Sequence, residues 1–534
     1  MNWQDYYENA LSAINLGQSD EAVELLQQAL ALAPANSGEY ASICGSLGKL
    51  HFERRELDQS AACFEKLAFL DAENPSYPLT LGYIYFQQKK YRQAITPLLR
   101  ANALAPETPD ILLYLAESFR LTGRHEESIP FYQSLLPYGK QYPQGIYGYG
   151  QALLSTGRLP DGWDALEFRK ACTLGTWDRH HLPDWDGSPA PDKTIVAYAE
   201  GSIAEQLMYA TVLEDMIGNV GACILECDDS LHTLFRRSFP DACVVQLPKA
   251  DVQEGIIFAG EHPVKNEFFS TKIDAQVAMG CLPRLFRRSI TAFPRKQAIL
   301  RPDDEKVAKW ENRLKDFGDV LKIGILWQGN WSEEPLPERG IPLETMRNLL
   351  CPRPSPYRVE MPHLKHADRH GADPRRVSPV TLRRERVHWF SLQNGSPQAQ
   401  LRTVIQNQWH VKNISAFSEI FQPDLDEMAA FLSALNLVIT PPGYVAHLAA
   451  GLGVPTWVLL PNLCDWRWRM GGVQSDWYAS MRLFRQGHTE TWAGFMNKVE
   501  SSLEFYLSKY YSMPIIADED LIEEYQLDPQ EIAR

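Results

Sequence analysis

The chain has 534 residues, 45% hydrophobic and 22% charged, the balance of a soluble globular protein with room for three or so compact domains. No apolar run approaches the ~20 residues that cross a bilayer, and the start, residues 1–18, has no basic cluster, which argues against a secretory signal. A net charge of −15 argues against a general nucleic-acid binder, and nine cysteines without a framework of spacings suggest reduced thiols and a cytoplasmic location.

The first 172 residues repeat at helical spacing. Ala22, Leu26, Ala29 and Pro34 alternate small and larger residues and end on a proline, and Ala94, Leu98, Ala101 and Pro106 do so again. Ser60, Phe64, Leu67 and Leu70 hold the corresponding places between them, and Ser60 precedes Ala94 by 34 residues, the period of a helix pair. Leu81, Gly82 and Tyr85 mark a first helix; Leu115, Ala116, Phe119 and Gly123 repeat that mark, as do Tyr149, Gly150, Leu153 and Gly157. This is the pattern of the tetratricopeptide repeat (TPR). Small residues are needed where the two helices touch and larger ones where neighbouring pairs stack, so roughly five units are expected in a right-handed solenoid over residues 1–172. Its concave groove is expected to hold a protein partner.

Gly162, Trp163, Glu167 and Arg169 close the last repeat, and Leu182, Pro183, Asp184, Trp185, Asp186 and Gly187 follow within a stretch, 173–192, that reads as a linker. Trp163 and Trp185 are expected to pack the last repeat onto the next domain, because large aromatics are mostly packing residues. Beyond them strand-like runs at 194–199, 222–226 and 243–247 alternate with a helical stretch at 205–216, which implies parallel pairing and a first α/β lobe over 193–318. A second lobe over 319–511 opens with a buried strand that ends in Trp327, Gln328, Gly329 and Asn330, at the sheet edge where ligands bind in open α/β folds. Residues 351–388 interrupt it with nine Arg or Lys, four Asp or Glu and six prolines, a net of +5, and read as a disordered or poorly ordered basic insertion. His363, His366, His370 and Cys351 invite a zinc reading there, but they sit among prolines without flanking ordered elements, and a solvated loop is the better expectation. An acidic tail, 512–534, ends the chain.

The clearest local pattern is a strand at 437–440, a turn of Pro441, Pro442, Gly443 and Tyr444, and a small-residue helix from Val445 through His447 to Gly453. A helix start of this kind presents backbone N–H groups and a positive dipole end to an anion. Together with the Gly162–Arg169 run, Ala278 to Arg284, Arg339 to Leu343, Trp389 to Gln393, Asp465 to Trp468 and Trp477 to Gln486, it makes the chain resemble bacterial proteins that join TPR arrays to a GT-B glycosyltransferase domain, from whose glycine-rich turn ending in Asp-Glu the run Gly201 to Gln206 departs. That group is distantly related to lipopolysaccharide heptosyltransferases and O-linked N-acetylglucosamine transferases. The resemblance spans nearly the whole chain except the insertion and tail, and implies a TPR α-solenoid followed by a two-lobed, double Rossmann-like GT-B domain.

The resemblance further implies an inverting glycosyltransferase that needs no metal or cofactor. A nucleotide-sugar donor would lie against Trp327, Gly329, Arg339, Gln393, Gly443, Tyr444, Val445 and His447, and a protein or glycan hydroxyl would be the acceptor. Glu205 would be the general base, standing where relatives carry Asp, while Pro442, Gly443 and Tyr444 replace Asp, Thr and Ser. The alternative is a catalytically degenerate scaffold that works through its TPR groove.

Overall fold

The computed structural model describes residues 1–35, 37–172, 181–246, 272–293, 295–328, 341–351, 357–360, 376–377, 386–395, 398–510 and 515–517. The chain divides into two compact units, Met1–Gly175 with Asp465–Met470, and Thr176–Cys464 with Gly471–Arg534.

The first unit is a run of helix hairpins: α1 (Trp3–Asn15) with α2 (Ser19–Leu32), α3 (Gly38–Glu53) with α4 (Leu57–Leu70), α5 (Ser76–Gln87) with α6 (Tyr91–Leu104), α7 (Pro109–Leu121) with α8 (His125–Leu135), and α9 (Pro143–Ser155) with α10 (Leu159–Leu166). Small residues recur where the partners touch. A Cβ on Gly48 would lie 2.9 Å from the Cβ of Cys63, and one on Gly150 would lie 2.7 Å from the backbone nitrogen of Leu166. The approach at Gly48 is close enough for the buried Ser60 hydroxyl to donate to its carbonyl at 2.8 Å. Each hairpin turn reverses through one residue in the left-handed region, namely Gly17, Arg55, Lys89, Gly123 and Gly157, with φ between 60° and 85°. Glycine adopts that region without steric cost, whereas Arg55 and Lys89 carry a Cβ there. Trp163 is buried edge-on against Trp466, with centroids 5.5 Å apart, and Met470 N donates to the Ser155 carbonyl at 2.9 Å. The segment Asp465–Met470 thus closes the core of the last repeat.

The second unit holds two parallel sheets. The first comprises β1 (Ala190–Tyr198), β2 (Val220–Cys227), β3 (Ala242–Gln246) and β4 (Ala275–Ala278), in the order β3-β2-β1-β4. In the second, β5 (Leu321–Ile325), β8 (Val387–Ser391), β9 (Ile414–Ser415), β10 (Leu437–Thr440), β11 (Thr456–Leu460) and β12 (Met481–Arg485) take the order β12-β11-β10-β5-β8-β9. Every residue of β10 and β11 is buried, as expected of parallel strands covered on both faces. A third sheet is antiparallel: β6 (Tyr357–Glu360) lies between β7 (Arg376–Val377) and β13 (Ile515–Ala517).

Three sequence expectations need correction. Strand β1 begins at Ala190, inside the stretch read as a linker, and Trp185 N already donates to the Gln276 carbonyl at 2.7 Å. The Trp185 ring packs on Phe286 of the same unit, with centroids 5.9 Å apart. The basic insertion and the acidic tail are not structureless throughout, because β6 and β7 come from the former and β13 from the latter. The insertion also ends earlier than residue 388, since Val387 and His388 already pair with Leu321 and Lys322 in the central sheet. Residues 363, 366 and 370 lie outside the described residues, as do Gly329 and Arg339. Among the described residues no helix is long and apolar enough to cross a membrane.

Candidate functional site

The carboxyl ends of the strands carry most of the residues expected to act. After β1 the chain turns through Gly201 into a short helix, Ile203–Tyr209, which begins two residues before the expected helical stretch. Glu205 closes its capping box: Ser202 N and Oγ both donate to Glu205 Oε2, at 2.8 and 3.0 Å. This gives the carboxylate a structural duty that sequence reading did not anticipate, although Ser202 followed three residues later by Glu is the signature of such a cap. The same turn is braced twice more. Buried Gln206 accepts from Asp228 N at 2.9 Å beyond β2, and Glu200 accepts from Gly280 N at 3.0 Å beyond β4. Gln206 and Glu200 therefore tie the end of β1 to both neighbouring strands.

The second sheet is braced in the same way. Gln393, 2% exposed, accepts from Gln328 N at 3.0 Å and donates to Gln328 O at 3.1 Å, locking the end of β8 to the end of β5. Trp327 is 1% exposed in the core of that sheet, and its indole donates to Gln400 at 2.9 Å. Both residues were expected to touch a donor, and both have instead their polar atoms engaged inside the fold.

After β10 the expected strand-turn-helix is present, with the helix at Tyr444–Gly451 and Gly443 at its N-cap. Gly443 has φ +152°, a conformation that a side chain would strain, and a Cβ there would meet nothing within 4 Å. No side chain caps this helix. Pro442 and Val445 are buried and Tyr444 is half-buried, its hydroxyl pKa raised by burial. His447 lies inward: it is 2% exposed, with Nδ1 3.1 Å from the Tyr478 hydroxyl. That hydroxyl donates to the Leu207 carbonyl at 3.2 Å, so Nδ1 of His447 must carry the proton it shares with Tyr478. The helices bearing Glu205 and His447 pack on one another, and the His447–Tyr478–Leu207 chain fastens them. His447 therefore joins the elements of the two parallel sheets, a role that depends on Tyr478, which sequence reading placed only within a family block.

A second tie fastens elements of the two parallel sheets. Arg237, on the helix His232–Ser238 between β2 and β3, donates to both oxygens of Asp426 at 2.7 and 3.2 Å, and Lys306 adds a bond at 2.8 Å. Burial pushes the Asp426 carboxyl pKa up, but bonds from Arg237 and Lys306 outweigh it and hold the pKa below the usual value. Among the described residues no three His, Cys, Asp or Glu are grouped as a metal site.

On the repeats, half-buried aromatic side chains form a row along successive first helices of the hairpins. Phe52 meets Tyr83 at 5.7 Å between centroids, Tyr83 meets Tyr114 at 4.9 Å, and Phe86 joins Tyr114 at 5.3 Å. Burial, followed by neighbouring Tyr83, pushes the Tyr114 hydroxyl up to about 12. Next along the row, Glu117 accepts from Tyr132 and pairs with Arg120.

A family model for the tetratricopeptide repeat matches residues 7–78, 46–106 and 79–146, so the N-terminal region carries TPR repeats. Over 563 residues the chain is 23% identical to Protein FlbA of Caulobacter vibrioides (strain ATCC 19089 / CIP 103742 / CB 15), covering 94% of this chain and 87% of that protein. Among solved structures, MamA is 20% identical with a TM-score of 0.27, covering 32% of this chain and 88% of its own. YrrB, a TPR protein with an unusual peptide-binding site, is 15% identical with a TM-score of 0.28, covering 30% and 82%.

Proposed function

We propose that this protein is a scaffold whose TPR array holds a protein partner against the first-helix face. The observation that carries the reading is the half-buried row of Phe52, Tyr83 and Tyr114. Aromatic side chains supply large contact areas at small cost in rotamer freedom, and such residues dominate the energetics of interfaces. The internal bonds of Trp327, Gln393, His447 and Glu205 favour the same reading, since each engages a group that a transferase would direct at substrate. A photo-crosslinking residue at Tyr83 should yield one discrete adduct in the source cell, with Tyr114→Ala lowering the yield ~10-fold. The same residue at Gln93, exposed on α6, should yield none. Equal labelling at both positions, or none at Tyr83, would overturn the scaffold reading.

A second reading, glycosyl transfer from a nucleotide sugar to a recruited protein or glycan, is favoured by one observation. Gly443 leaves open space at an uncapped helix start, which suits approach of a diphosphate to the backbone N–H groups of the first turn. On this reading Arg339 offsets the negative charge on the leaving diphosphate and Glu205 takes the acceptor proton. A thermal-shift panel of nucleotide sugars tests it, because a ligand at 100 times its Kd stabilises by ~2.7 kcal/mol. Glu205→Gln should then lower turnover ~10²-fold with binding intact. No shift across the panel would end the transferase reading and leave the scaffold reading untouched.

A further inference from the structure

The insertion and the tail meet through their backbones. Strand β13 adds antiparallel to β6, with Ile515 opposite Val359, Ile516 opposite Arg358 and Ala517 opposite Tyr357, while β7 pairs on the other side of β6. Without β13, one edge of β6 would present a row of unpaired N–H and C=O groups, the template on which an extended segment adds as a further strand. The charges of the two segments are opposite. Residues 351–388 carry nine basic and four acidic side chains, whereas residues 512–534 carry seven acidic and one basic, with Asp518, Glu519 and Asp520 directly after β13.

We propose that the edge of β6 is a docking site for an extended acidic segment, and that the chain's own tail is its resident occupant. The tail masks the edge until an acidic strand from a partner displaces it. Displacement is feasible because the pairing spans only three residues, a small fraction of a stable sheet. Tethering favours the tail, since a linked segment competes at an effective concentration in the millimolar range. A free segment must therefore bind better or be present in excess. This inference stands independently of what the TPR face or the Gly443 turn binds.

The test uses the full chain and a labelled peptide of residues 512–528 as the probe. Ile516→Pro puts at the centre of β13 a residue that disfavours strand pairing, so the variant should bind the peptide at least ~10-fold tighter than the wild-type chain does. Adding Arg358→Glu and Arg376→Glu should weaken that binding ~10-fold or more, and raised salt should weaken it likewise. Equal peptide binding by wild type and I516P, or binding insensitive to both charge and salt, would overturn the proposal. A second measurement guards against misfolding of the proline variant: R358C/I516C, oxidised by glutathione disulfide, should form a cross-link within one chain because the two positions are directly opposed. No cross-link, or a cross-link only between two chains, would also overturn it.

Discussion

Replacing Asp426 with alanine should loosen the junction between the two parallel sheets. The carboxylate is 1% exposed and receives two bonds from Arg237 and one from Lys306. Breaking a buried ion pair from one side costs ~3–5 kcal/mol where the stranded charge stays buried. Here the stranded cations are 27% and 32% exposed along their side chains and can turn to water, so ~2–3 kcal/mol is expected. Hydrogen-exchange mass spectrometry reads this locally: residues 232–238 and 426–433 should exchange about 30- to 150-fold faster, with the repeat helices unchanged. The pH dependence has a definite sign. A carboxyl whose pKa is depressed on folding contributes stability that is present above its unfolded value, near ~3.9, and lost as pH falls through the folded value. Wild type and Asp426→Ala should therefore converge in acid below about pH 4. A cycle with Arg237→Ala should give a coupling of ~1–2 kcal/mol. Exchange within threefold of wild type, or additive single changes, would refute the tie between the sheets.

Gly150→Ala should cost ~1–3 kcal/mol, because its Cβ would meet the Leu166 backbone, whereas Gly45→Ala, 3.9 Å from Leu67, should be neutral or stabilising by up to ~1 kcal/mol; paired urea midpoints check this. Arg55→Gly should raise the melting temperature, because it relieves a Cβ held at φ 63° on an exposed turn. His388, between Phe317 and Phe390, has its pKa pushed down to about 4 by burial and then by Lys322, so stability should fall as pH drops from 6.5 to about 4; His388→Gln should flatten that slope in thermal melts. Replacing residues 361–375 with a Gly-Ser linker should leave the melting temperature nearly unchanged, whereas replacing 351–388 should lower it strongly, because Val387, 1% exposed, lies in β8.

The repeat array was legible because its signal is local: Gly48 with Ser60, or Gly150 with Gly162, are spaced so that two short helices can touch, and that spacing is visible in one pass along the chain. The parallel strands were legible for a similar reason, as runs such as 437–440 and 456–460 are apolar but for one threonine each. The turn at Gly443 was readable from its prolines and glycine between a strand and a small-residue helix. What escaped was the use to which polar side chains are put. Gln393 and His447 carry the chemistry a ligand site needs, but Gln328 and Tyr478, distant in the chain, take up those atoms, and no local pattern records such a pairing. Glu205 is the exception, since its capping partner is three residues away and could have been read. The insertion was misjudged because composition predicts whether a segment can bury a core, whereas strand pairing is made by backbone groups that every residue but proline supplies. Whether β6 finds β13 is decided by where the fold brings two segments more than 150 residues apart, and charge and proline content say nothing about that meeting.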